Sequence, residues 1–205
     1  MKTKVVEGSK PESVESALQA IQEGQAVAFP TDTVYGIGVS AYDPKAIKKL
    51  FAIKEREQSR SIAVLIASTT ELEQVADHPS AQAQQLAQAF WPGPLTLVVP
   101  RNPRLPRDLS PKATIGVRIP DHPLALALLQ AAGPLAVTSA NLSGQPDCCT
   151  ASEVVAQLDG RLSLVLDGGR TPGGVPSTVA DTTGGNIRLL REGPLSMDDI
   201  RKVLE

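Results

Sequence analysis

Residues 62–66 read Ile-Ala-Val-Leu-Ile, five consecutive apolar side chains. Successive side chains of a strand point to opposite faces, so a strand made of these five has no face fit for water and needs cover on both sides. Other short runs repeat the demand: AVAF (26–29), LTLVV (95–99), LAVT (135–138) and LSLVL (162–166), with TIGVRIP (114–120), STVAD (177–181) and IRLL (187–190) as further strand-like stretches. Between them the apolar spacing changes to that of helices. Val14, Ala17, Leu18 and Ile21 share one helical face before Gly24, and Ile47, Leu50 and Phe51 share another in a helix from Asp43 to about Lys54 with Pro44 at its first position. TTELEQVAD (69–77), PSAQAQQLAQAF (79–90), DHPLALALLQAA (121–132), TASEVVAQL (150–158) and a segment from about Ser196 complete the helical set.

Roughly seven strands interleaved with helices predict an α/β or α+β fold, a twisted sheet with helices packed on it. With 205 residues, 41% of them hydrophobic, the chain suffices for one core, and one domain spanning 1–205 is expected. The stretch 100–112 (PRNPRLPRDLSPK) reads as a long surface loop, not a linker.

Many of these strands leave into a hydroxyl or a cation. TDT (31–33) follows AVAF, Arg118 sits within TIGVRIP, TSAN (138–141) follows LAV, Ser177 opens STVAD after a glycine-rich loop, and Arg191 follows IRLL. Any one arginine among them is explained by solvent or a surface ion pair. Five such exits, with Lys54, Arg56 and Arg60 at a helix end, predict a single concave basic pocket at the strand ends, suited to an anion rich in oxygen.

Several chemistries are disfavoured. Neither GxxxxGK[ST] nor GxGxxG occurs, so a nucleotide here is not held by a P-loop or a Rossmann turn. Ser139 lacks a well-spaced histidine base, because His78 and His122 each precede a proline and read as surface or helix-start residues. Cys148 and Cys149 are adjacent, a poor arrangement for a structural disulfide or a spaced metal site. A net charge of −2 and 3% aromatic content argue against a surface devoted to nucleic acid. The first residues carry no apolar leader and no run approaches membrane-spanning length, so a cytoplasmic protein is expected. The pocket reads as one for positioning and charge stabilisation.

Taken together, PTDTVYGIG (30–38), Lys54-Glu55-Arg56, WPGPLTLV (91–98), TIGVRIPDHP (114–123), TSANLSG (138–144), STVAD (177–181) and LLREG (189–193) resemble the YrdC-like family of L-threonylcarbamoyladenylate synthases, in the family's order over nearly the whole chain. The resemblance implies a YrdC-like fold in its short, single-domain form. It implies condensation of L-threonine, bicarbonate or CO2, and ATP to threonylcarbamoyl-AMP and pyrophosphate, with Mg²⁺ expected on the pyrophosphate. Downstream tRNA threonylcarbamoyl-transfer proteins then carry the group to adenosine 37, and contact with tRNA itself is conceivable. Residue by residue, Thr33, Arg118, Ser177 and the backbone near Val137 match positions that hold threonine. Lys54, Arg56, Arg60, Thr114, Ser139, Asn141, Arg191 and the backbone near Cys148 match positions that hold ATP, with Lys54, Arg56, Ser139 and Asn141 as the expected catalytic set. Glu57 stands where proline is common, Ser61-Ile62 where a Pro-Leu pair is, and Leu65 where some members have histidine. Two alternatives remain open at this point: an RNA-binding module using the same basic concavity, and a paralogue acting on a different acceptor amine.

Overall fold

A computed structural model describes residues 2–205. In chain order the elements are β1 (Lys4–Glu7), α1 (Ser13–Gln22), β2 (Val27–Phe29), β3 (Gly36–Ser40), α2 (Pro44–Ile53), β4 (Ala63–Leu65), α3 (Leu72–Val75), α4 (Ala81–Phe90), β5 (Leu95–Pro100), β6 (Thr114–Arg118), α5 (Pro123–Ala132), β7 (Leu135–Ser139), α6 (Ala151–Leu158), β8 (Leu164–Asp167), β9 (Thr178–Asp181), β10 (Arg188–Arg191) and α7 (Met197–Leu204). The helix starts follow local chemistry. The Asp43 carboxylate accepts from the amides of Lys45 (2.8 Å) and Ala46 (3.2 Å) while Pro44 opens α2, and Thr150 and Glu153 close a reciprocal capping box on α6.

All ten strands join one mixed sheet in the order β1-β8-β2-β3-β7-β4-β6-β5-β9-β10. This corrects the expectation of roughly seven, and the eight strand-like stretches named above are all among the ten. The strands that the pattern does not announce are β1, only four residues long, and β3, whose Gly-Ile-Gly start weakens a strand signal. β3 is nevertheless central, paired antiparallel with β2 on one side and β7 on the other, so tertiary pairing supplies what local propensity lacks.

Helices pack on both faces of the sheet, although the cover expected on both sides of the run at 62–66 is incomplete, because Ala63 and Leu65 of β4 line a cavity. Ile47, Leu50, Leu86, Val154 and Ile200, from α2, α4, α6 and α7, pack in one core with Leu95, Leu97 and Val99 of β5. Ala17 and Ile21 of α1 and Leu128 and Leu129 of α5 pack on the other face over Val27, Phe29, Leu135 and Leu166. This second cover is partial. α1 packs on β8, β2 and β3 and against α5, whereas the same face of β4, β6, β5 and β9 opens into a cavity. No helix among the described residues is long and apolar enough to cross a membrane.

Candidate functional site

The cavity holds about 260 Å³. Its floor follows from strand register: Leu65 lies opposite Arg118, Ala63 opposite Val137, and Thr96 opposite Val179, so alternate residues of neighbouring strands share the open face. Gly36 and Gly116 keep the floor low, since a Cβ on Gly36 would lie 2.8 Å from Val137 Cγ1 and one on Gly116 3.0 Å from Thr96 Cγ2.

One wall is the TDT turn and the end of β6. Thr31 Oγ1 donates to the Val34 carbonyl (2.7 Å) and accepts from the Thr33 amide (3.2 Å), so the threonine before the turn shapes it from within. Arg118 is buried there. Its Nε donates to the Gly93 carbonyl (2.9 Å), its Nη1 to Thr33 Oγ1 (3.0 Å) and its Nη2 to Asp32 Oδ1, which also accepts from the Asp121 amide at 3.0 Å. Burial works against the guanidinium charge and Asp32 works for it. A guanidinium has five N–H donors. Three are committed by these bonds, so two remain for a carboxylate.

The opposite wall is the start of β9. Ser177 Oγ lies 2.8 Å from Thr96 Oγ1 and accepts from Arg191 Nη2 (3.1 Å), while the Ser177 carbonyl accepts from Arg191 Nε (3.0 Å). Arg191 reaches inward because β10 shifts register between Leu189 and Arg191, which turns Leu190 outward and points Arg191 at the site. Arg56 adds a third cation. Its Nη2 donates to the Ser61 carbonyl (2.9 Å), its Nε has no partner, and burial followed by the charges of Arg60 and Arg191 presses its pKa down.

The chain thus brings Thr33, Arg56, Arg118, Val137, Ser139, Ser177 and Arg191 to one cavity, together with Ser61, Ile62 and Leu65, three of the four positions that depart from the family pattern. Glu57, the fourth, is exposed outside it. The other site residues expected from sequence, Lys54, Arg60, Thr114, Asn141 and Cys148, are not among the residues that line it. Lys54 is buried behind Ser139, its Nζ donating to the Ser139 carbonyl and to Asn141 Oδ1 (3.1 Å), and burial pulls its pKa down to about 8. Asn141 Oδ1 also accepts from Ser139 Oγ (2.6 Å), and its Nδ2 donates to Leu142 and Gln145 carbonyls, so Lys54 and Asn141 brace the loop that presents Ser139. Cys148 is buried, with its thiol pushed up to about 11 by burial and its carbonyl accepting from the Tyr35 amide (2.8 Å). Thr114 shares the face of Gly116 and Arg118 farther along β6, and Arg60 is exposed, its charge acting on Arg56. Sequence reasoning missed the pairing of Asp32 with Arg118 and missed Thr96, whose signal was available as a lone hydroxyl in the apolar strand LTLVV.

A sheet left open on half of one face, with three arginines and several hydroxyls converging there, defines a binder of small oxyanions that can seat a carboxylate beside phosphates. The family model Sua5/YciO/YrdC, described as "Telomere recombination", matches residues 19–193. A threonylcarbamoyl-AMP synthase of Pyrococcus abyssi is 42% identical over 186 residues, which are 90% of this chain and 55% of that protein. A threonylcarbamoyl-AMP synthase of Vibrio campbellii is 37% identical over 183 residues, covering 87% of this chain and 98% of that protein. The crystal structure of P. abyssi Sua5 complexed with L-threonine superposes with a TM-score of 0.95 at 40% identity, covering 98% of this chain and 61% of that one. The chain belongs to the Sua5/YciO/YrdC family. It spans little more than half the length of the Pyrococcus relative and nearly all of the Vibrio one. These relatives carry the name of a synthase, which favours the enzymatic reading over an RNA-binding module.

Proposed function

We infer that this chain is a nucleotidyltransferase that makes threonylcarbamoyl-AMP and pyrophosphate from L-threonine, CO2 or bicarbonate, and ATP. The observation that carries the reading is the convergence of Arg118 and Thr33 on one wall with Ser177 and Arg191 on the other and Arg56 at the mouth, all around one cavity. Arg118 pairs the threonine carboxylate through its two uncommitted donors, with Thr33 and Ser177 supplying hydroxyl contacts. Arg56 and Arg191 face the phosphates, with Arg60 adding its charge, while Lys54 and Asn141 hold Ser139 in place beside the nucleotide.

The reaction forces two anions together. The deprotonated threonine amine adds to CO2, giving a carbamate and releasing a proton; a carbamate oxygen then attacks the α-phosphorus as its bond to the bridging oxygen of pyrophosphate breaks. The converging cations offset the repulsion and favour the charge building on the leaving group. The cavity lining contains no carboxylate, and no group of three or more potential metal-ligating side chains occurs among the described residues. The protein's own residues therefore do not build a magnesium site there, and Mg²⁺ enters as part of the ATP complex, on the phosphates. The product passes to proteins that transfer threonylcarbamoyl to tRNA.

The test supplies ATP, Mg²⁺, labelled bicarbonate and each amino acid in turn. Pyrophosphate and a labelled adenylate are expected with threonine; their absence with threonine, or equal yields with unrelated amino acids, would overturn the assignment.

A further inference from the structure

Thr96 belongs to none of the substrate positions derived above, yet it is buried in the cavity floor with its hydroxyl turned toward Ser177. Its methyl group lies over Gly116, where a Cβ would come within 3.0 Å of it. The flanking Leu95 and Leu97 point into the opposite core, so the strand alternation commits Thr96 to the cavity face.

Hydrogen counting gives this hydroxyl a task. Thr96 and Ser177 carry two hydroxyl hydrogens between them and share one hydrogen bond, so one hydrogen is left over. Arg191 Nη2 already occupies one lone pair of Ser177 Oγ. When Thr96 donates, the second lone pair of Ser177 is filled as well, and Ser177 meets the cavity only as a donor. When Ser177 donates instead, it spends its hydrogen on Thr96, and Thr96 carries the free one. An acceptor oxygen placed against Ser177 selects the first arrangement.

We propose that Thr96 is a positioning residue for the amino-acid substrate: it bonds Ser177 Oγ alongside Arg191 and, donating when a substrate oxygen sits against Ser177, leaves the Ser177 hydrogen free for that oxygen. This rests on the reading of Ser177 as a threonine contact. Without Thr96, the Ser177 side chain keeps only its bond from Arg191 and is held less firmly against a substrate oxygen.

The experiment compares wild type, Thr96→Val, Thr96→Ser, Ser177→Ala and the Thr96→Val/Ser177→Ala double variant, measuring threonine KM, ATP KM, thermal midpoint and calorimetric L-threonine affinity. Thr96→Val keeps the shape and is expected to raise threonine KM and Kd about tenfold, with ATP KM unchanged and the thermal midpoint lowered by about 2–4 °C, as befits a lost buried hydrogen bond. Thr96→Ser should stay within about twofold of wild type, and Thr96→Val should add less than about twofold in the Ser177→Ala background. Unchanged threonine binding in Thr96→Val, or an equal loss with and without Ser177, overturns the proposal. Should Thr96→Val not fold, Thr96→Ala is read by the same ratios. A wild-type chain that releases no pyrophosphate but binds threonine would refute the functional reading alone, because the calorimetric comparison still decides the role of Thr96.

Discussion

Lys54 Nζ lies 3.1 Å from Asn141 Oδ1 and also donates to the Ser139 carbonyl, so a lysine at the end of α2 clamps the loop after β7 from behind. Its ammonium is among the largest side chains fully shielded from water, and its pKa falls to about 8 from an ordinary 10.5, with burial as the main cause and Arg56 second. Between those values the unfolded chain holds a proton that the folded chain has released. Stability contributed by this group therefore rises with pH from about 8 to 10.5, and the gain is lost as pH falls through about 8. An arriving triphosphate favours the charged form, so ATP affinity is expected to fall as pH climbs through about 8, with proton uptake on binding. Calorimetry in two buffers of different ionisation enthalpy at alkaline pH checks this, and Lys54→Met should abolish the linked proton.

Arg118→Ala should lower kcat/KM for threonine by ~2–4 kcal/mol, the loss typical when one partner of a buried charged contact is removed. Arg118→Lys should not restore it, because a point charge cannot replace a fork that bonds Gly93, Thr33 and Asp32 together. Steady-state kinetics with threonine varied at saturating ATP make the comparison.

Gly193 passes so close to β9 that a Cβ there would lie 2.4 Å from the Thr178 amide nitrogen and 2.5 Å from the Pro176 carbonyl. Both obstacles are backbone. Gly193→Ala should therefore push the strand aside, costing ~1–3 kcal/mol in urea unfolding. It should also raise ATP KM, because Arg191 is only two residues away and bonds Ser177.

Tyr35 is completely buried, and burial pushes its phenol up to about 12. The hydroxyl donates to the Gly169 carbonyl (2.8 Å) and accepts from the Gly168 amide (3.2 Å), pinning the glycine-rich loop to the strand that follows TDT. Tyr35→Phe should cost ~1–2 kcal/mol. Hydrogen exchange should then quicken at Gly168 before it does elsewhere in the sheet.

Much of the site was legible because its residues interrupt apolar strands or end them: Thr33, Arg118, Ser139, Ser177 and Arg191 all stand at such exits. Lys54 was legible as a cation but not as a buried one, since a lysine at a helix end ordinarily reads as solvated. The partnership of Arg118 with Asp32 joins residues 86 apart in the chain, and only strand register brings them together. Most helices came out close to their expected bounds, as capping and periodicity are local signals, but of the helix expected over 69–77 only Leu72–Val75 is α-helical. Sheet order is not local, and β3 shows the cost: two glycines hid a strand that five paired positions with β7 hold in place.

The pairing of Lys4 with Leu164 and of Leu95 with Thr178 ties early segments of the polypeptide to late ones. During synthesis β1 therefore stays unmatched until residues 164–167 emerge, and the cleft gains its Ser177 wall later still. Such topology favours slow, all-or-none maturation in which the cavity is complete only once β9 and β10 have joined the sheet.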